Sequence, residues 1–289
     1  MSTVYASHGR CSAAARCYDA SDGGAVRLCI NCRTNEARSV RGKFLPWPRT
    51  VLASLGTMLC VATGVIGQPV YARAAPDNCP ATAAAAYQWG APNKADDFDG
   101  PSSLAGWNLY DGPGHDGNGR RTPSAVSVAD GVLTITGDSQ GNSEGMSWSP
   151  GQTYGRWEVC VKSPAASPNY HSVLLLWPAR PGGGEVDFME IADPTRQSVD
   201  AFVHYGSDQQ VAGHIRIDAT QWHSWAVEWT PQRIATFVDG AQWWETTNAA
   251  HIPTGLMRMC MQLDDFGGDI SQGGQQIVDW ARQYPPVET

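Results

Sequence analysis

From residue 126 to residue 263 the chain repeatedly alternates apolar and polar positions, in short runs separated by turn residues. A period of two is the mark of a half-buried strand. Val126-Ser127-Val128-Ala129 meets Val132-Leu133-Thr134-Ile135-Thr136 across Asp130-Gly131. Asp-Gly tolerates the positive φ that a two-residue hairpin turn demands, so these runs are predicted to pair. The device recurs where 234–238 meets 241–244 across Asp239-Gly240. Further strands are predicted at 154–162, 172–177, 184–191, 198–205, 222–229 and 256–263, and long amphipathic helical periods are absent. So many short strands in one stretch predict an all-β fold, a jelly-roll β-sandwich of two antiparallel sheets.

Residues before this region read differently. Arg38, Arg41, Lys43 and Arg49 precede an uncharged apolar run at 51–67, and Ala72-Arg73-Ala74 follows it. Basic stretch, apolar run and small-x-small site form an export signal over 38–74, with cleavage expected after Ala74. The expected destination is extracellular or the cell wall, with no membrane contact after cleavage. A retained membrane anchor is the rival, and Gly56, Gly64 and Gly67 weaken it. Residues 1–37 carry one Cys-x-x-Cys and read as a disordered tail or an overlong start. Residues 75–95, with the alanine run 81–86, read as a low-complexity linker, which leaves 96–289 as the main domain. Export permits disulfides. Cys79, Cys160 and Cys260 cannot all pair among themselves, and a Cys160–Cys260 bridge is one option.

Charge narrows the partners. The net charge is −8, yet residues 1–74 are basic, and the remainder holds 11 Lys+Arg against 25 Asp+Glu. Such a surface repels a phosphate backbone, which argues against nucleic acid. A neutral polysaccharide is unaffected. The 12 Trp supply flat faces for sugar rings as well as core material. No Gly-x-Ser-x-Gly elbow surrounds a serine, and no His-x-x-x-His appears, so serine-hydrolase and zinc chemistry have no support.

The informative segment is Glu185-Val186-Asp187-Phe188-Met189-Glu190. On a regular strand Glu185 and Asp187 share a face and Glu190 points the other way. One bulged residue returns Glu190 to the first face. Three crowded carboxyls repel, which keeps a proton on one while a neighbour is ionised. That division of roles is what a glycosidase requires of its nucleophile and its acid.

Glu-x-Asp-x-x-Glu, preceded by Leu174-Leu175-Leu176-Trp177-Pro178 and Gly183-Gly184, resembles the active-site strand of glycoside hydrolase family 16. Asp97-Phe98-Asp99-Gly100, Tyr154-Gly155-Arg156-Trp157-Glu158-Val159, His204-Tyr205-Gly206, the run 222–231 and Val278-Asp279-Trp280 extend the likeness over about 96–282. The resemblance implies a concanavalin-like sandwich with a concave substrate cleft, and a catalytic domain at 96–289. It implies Glu185 as nucleophile, Glu190 as acid/base and Asp187 as the residue that tunes the nucleophile, in the bulged, laminarinase-like branch. It further implies Glu158, Trp177, His204 and Gln262 as substrate-binding residues. No cofactor is required and no catalytic metal is expected; Asp279 is the candidate for a structural calcium. The expected protein is a secreted, monomeric, retaining endo-glycosidase acting on β-1,3-glucan or mixed-linkage β-glucan. A lectin-like binding module or a transglycosylase on the same fold is the alternative.

Overall fold

The computed structural model describes residues 77–181, 183–286. The export signal 38–74 and the segment 1–37 lie outside the described residues.

Two large antiparallel sheets form the described domain. An eight-stranded sheet runs through Ala241–Thr246, Ile234–Val238, His223–Trp229, Gly155–Lys162, Gly274–Tyr284, Val132–Gly137 and Val126–Ala129, with Lys94–Asp96 added beside Gly274–Tyr284. A seven-stranded sheet runs through Gln209–Arg216, Ser198–Tyr205, Glu185–Ile191, Tyr170–Pro178, Met257–Asp265, Gly145–Trp148 and Trp107–Leu109. The chain crosses between the sheets several times, with residues 170–216 contributing four successive strands to the seven-stranded sheet and 223–246 three to the other. Both Asp-Gly turns form as the pattern predicts: Asp130 and Gly131 have φ of 54° and 76°, Asp239 and Gly240 48° and 79°.

Alternation places one face of each strand in a shared core. Trp157, Val159, Trp225, Val227 and Trp229 of the first sheet pack toward Leu174, Leu176, Val186, Phe188, Met259 and Met261 of the second. Fully enclosing each such side chain contributes roughly 1.5–3 kcal/mol. The indoles of Trp107 and Trp148 stack at 4.4 Å within this core. Most of the tryptophans are thus structural, whereas Trp177 stands 47% exposed on the opposite face of the second sheet.

The segment expected as a linker is built into the domain instead. Thr82 caps a one-turn helix, Ala83–Ala86. Ala83 and Trp89 are buried against Ala226, Ala235, Phe237 and Tyr284. A disulfide joins Cys79 to Cys160, and Cys260 is free and buried. This corrects the Cys160–Cys260 option. Cys160 lies in the eight-stranded sheet and Cys260 in the seven-stranded one, each pointing away from the core that separates them. Low sequence complexity misled here because alanine is both a filler and a good helix former.

The Cys79–Cys160 bridge closes a loop with a sequence separation of 81 residues. Replacing both cysteines by alanine is expected to lower stability by about 2–5 kcal/mol, read from urea unfolding of the oxidised protein and the variant. Equal midpoints would show that the N-terminal segment is held by packing alone.

Candidate active site

The strand Glu185–Ile191 carries the irregularity on which the site depends. Against Tyr170–Pro178, Glu190 pairs with Val173 and Met189 with Leu174, but Leu175 pairs with Asp187, so the register shifts by one residue. The shift recurs against Ser198–Tyr205, between Asp187 and Glu190. Phe188 and Met189 are both fully buried in the core. Two consecutive side chains thus point inward, and the parity of the strand inverts between Asp187 and Glu190. Glu185, Asp187 and Glu190 consequently line one cleft of about 660 Å³. A second cavity of about 530 Å³ shares Trp177, Glu185 and His204 with it, making one elongated groove. Val173, Leu175 and Cys260 form a small apolar patch on this face, with Val173 and Leu175 in the cleft wall.

The three carboxyls sit in unequal surroundings. A carboxyl oxygen of Glu185, one of Asp187 and a ring nitrogen of His204 all lie within 4.8 Å of one another. His204 Nε2 lies within hydrogen-bond distance of Asp187 Oδ2, at 3.1 Å. Burial, then the adjacent Asp187 carboxyl, pushes Glu185 up to about 9, while the His204 imidazole pulls the other way. Asp187 is held well above the usual carboxylate range, first by complete burial and then by Glu190. The Glu185–Asp187 pair therefore retains a proton at neutral pH, because two charges this close in a dry site cost too much. Glu190, one turn of the bulge away, has another partner: His171 Nδ1 lies 2.8 Å from Glu190 Oε1.

Of the four residues expected to bind substrate, three reach the groove. Trp177 presents an exposed indole, His204 orients Asp187, and Gln262 lines the cleft with its Oε1 accepting from Arg121 at 2.8 Å. Glu158 is the correction. It lies in Gly155–Lys162, in the other sheet, and is completely buried. Its oxygens accept from Ala83 N–H at 2.6 Å and Ala84 N–H at 3.2 Å, where they cap the short helix. Trp157 and Val159 take the core face of that strand, so Glu158 faces outward, beneath the N-terminal segment. A motif match fixed its strand but not the sheet to which that strand belongs.

Sequence reasoning passed over several residues that complete the site. Arg121 pairs with Asp264 at 2.6 Å, and both are nearly enclosed. Burial raises Asp264 while Arg121 draws it back. Tyr110 donates to Cys260 Sγ at 3.4 Å, and burial pushes that thiol up to about 12, which leaves it unreactive. His115, Asp116 and Phe266 close one end of the cleft. Strand parity carried a signal for His171 as well, which alternates onto a single face with Val173, Leu175 and Trp177. Arg121 and Phe266 come from loops and short bridges, which carry no periodic signal.

The model of Glycosyl hydrolases family 16 matches residues 115–282, more than half of the chain. The chain belongs to this family. A β-glucanase of Rhodothermus marinus is 31% identical over 171 residues, 47% of this chain, and the match spans 59% of that relative's length. The structure of the laminarinase from Rhodothermus marinus superposes with a TM-score of 0.58 at 25% identity, covering 68% of this chain and 98% of that one. The LamA catalytic domain of Zobellia galactanivorans gives 0.61 at 20% identity, covering 69% and 99%, and at that identity speaks for the fold. The jelly-roll expectation and the family resemblance are both borne out.

The raised carboxyls make stability depend on pH in a definite direction. The folded protein binds more protons than the unfolded chain from the ordinary carboxyl range up to about 9. The contribution of the pair is full at the acid end and is lost as pH rises through that window. Asp187→Asn removes one of the two crowded charges and is expected to flatten this fall. Urea midpoints for wild type and variant across the window test it, and parallel curves would contradict the shared proton.

Proposed function

We propose that this protein is a retaining endo-glycosidase that cuts β-1,3-glucan, with mixed-linkage β-glucan as the next substrate. The observation that carries the reading is the bulge, because it turns Glu185 and Glu190 into one groove. Glu185 and Glu190 are separated by two strand repeats of about 6.6–6.8 Å each, a path that the bulge shortens and that convergence of the two side chains over the groove shortens further. That favours the closer spacing of about 5–5.5 Å used by retaining enzymes over the wider one that admits a water. Relatives add support by name: a LamA variant of Zobellia galactanivorans was solved with laminaritriose and laminaritetraose. A mouse hindgut metagenome structure is described as a lichenase.

In the first step a Glu185 oxygen attacks the anomeric carbon as Glu190 gives its proton to the departing glycosidic oxygen. In the second, Glu190 takes a proton from water, whose oxygen displaces Glu185 from the same carbon. The proton held by the Glu185–Asp187 pair must rest on Asp187 while Glu185 attacks. Asp187 is the more enclosed of the two and so the worse place for a charge. His204 holds Asp187 in register for this exchange. Trp177 offers a stacking face, and the groove is long enough in outline for an extended chain. The chemistry requires no cofactor. Asp279 Oδ2 already accepts from Asn78 N–H at 3.1 Å, and a calcium there would serve the N-terminal segment rather than the reaction. Export fits the Cys79–Cys160 disulfide, since such bonds persist in oxidising compartments. A monomer suffices, because one chain supplies every group named. A lectin-like module is disfavoured by the same acids: binding alone gives no reason to crowd three carboxyls together.

Glu185→Gln and Glu190→Gln are each expected to reduce polysaccharide hydrolysis by at least about a hundredfold with folding intact. Proton NMR of early products is expected to show the β-anomer before mutarotation. Initial α-product would exclude retention, and full activity in either variant would exclude the assignment.

A further inference from the structure

We propose that His171 is a positioning residue for Glu190: it holds one carboxyl oxygen so that the other faces the leaving group. The proposal rests on the hydrolase reading and deepens it. His171 lies on Tyr170–Pro178, the strand beside Glu185–Ile191, on the cleft face two residues before Val173. Its Nδ1 lies within hydrogen-bond distance of Glu190 Oε1, at 2.8 Å, and the two side chains are only 14% and 15% exposed.

The ring is held from behind. Phe266 stacks on His171 with centroids 3.8 Å apart and planes 19° from parallel. His115 covers the far side of Phe266 at 4.1 Å and 22°. The Phe266 backbone is itself tied down, its N–H donating to Asn169 O at 2.9 Å. Turning the imidazole away from Glu190 would therefore break a three-ring stack. The neighbouring acid does not compete for the ring: Asp264, which pairs with His171 across the strands, is engaged by Arg121 at 2.6 Å.

This fixes which oxygen does the chemistry. In the proposed arrangement the ring carries its hydrogen on Nδ1 and donates it to Oε1; a proton on Oε1 would then face another donor, so the transferable proton belongs on Oε2. Oε2–H gives that proton to the glycosidic oxygen as the C–O bond breaks and the bond to Glu185 forms. In the second step Oε2 recovers a proton from water as the water oxygen bonds to carbon and Glu185 leaves. The same oxygen must be aligned twice, and a freely rotating carboxyl would be aligned only part of the time.

The test compares His171→Leu and His171→Asn with wild type on two aryl β-glycosides of the disaccharide that wild type releases from its polysaccharide. Phenoxide needs a proton to leave and 2,4-dinitrophenoxide does not, and kcat/KM reports the first step. For His171→Leu, kcat/KM is expected to fall about 10- to 100-fold on the phenyl glycoside and less than about threefold on the dinitrophenyl one. The amide N–H of His171→Asn takes the place of Nδ1–H and should restore most of the phenyl loss. Phe266→Leu, which loosens the ring without removing it, should show the same split in smaller measure, and it serves if His171→Leu fails to fold. Equal losses on both substrates, or none on the phenyl glycoside, would overturn the positioning role while the hydrolase reading stands. A wild type that cleaves neither glycoside nor polysaccharide would overturn that reading first.

Discussion

One extra residue in one strand decides what this fold can do. Without the bulge between Asp187 and Glu190, alternation would send Glu190 into the hydrophobic core and leave two carboxyls in the groove. A charge enclosed in that core would cost more stability than a typical domain has to spare. The bulge is held because Phe188 and Met189 are both fully enclosed. Core packing, the non-directional part of the structure, thus fixes the most directional feature of the site. The cost falls on the other face, where three acids crowd a partly dry floor.

The two sheets divide the work. The seven-stranded sheet carries the three acids, His171, His204 and Gln262 on its outer face and the core on its inner face. The eight-stranded sheet closes that core and receives the N-terminal segment on its own outer face, through the Cys79–Cys160 bridge and the Glu158 cap. Glu158 shows how much environment outweighs residue type. Burial raises it as burial raises Glu185, yet its oxygens meet backbone N–H groups and Ser224 where those of Glu185 meet open groove. A buried carboxyl whose oxygens are satisfied is structural. One that faces a cavity is available for chemistry.

Much of this was legible before any coordinates, for reasons that particular residues make plain. Asp-Gly turns fixed two hairpins because few dipeptides tolerate the required φ. The acid strand declared its bulge because only a parity change brings Glu190 beside Glu185. What escaped was whatever depends on which elements meet in space. The alanine run became a capped helix only because Glu158 and Phe237 wait for it on another strand. Cys160 found Cys79 rather than Cys260 because the core lies between the two sheets. Gln209–Arg216, at a sheet edge, and Gly274–Tyr284, inside the other sheet, are full strands whose polar positions weakened the alternation. Arg121 and Phe266 enter the site from connections that have no period to read.

The acid strand lies between two others, and each supplies a histidine to a different carboxyl. His204 comes from Ser198–Tyr205 and holds Asp187; His171 comes from Tyr170–Pro178 and holds Glu190. The halves of the site are therefore built alike but left in different states. On one side a proton is confined between the half-buried Glu185 and the buried Asp187, with Asp187 the less hospitable to charge. On the other a single carboxyl keeps one oxygen bound and one free. A pair of carboxyls becomes a nucleophile and an acid when its surroundings separate the two protonation states. In the proposed reading strand order gives the acids different partners: the same bulge that gathers them delivers Asp187 and Glu190 to opposite neighbours.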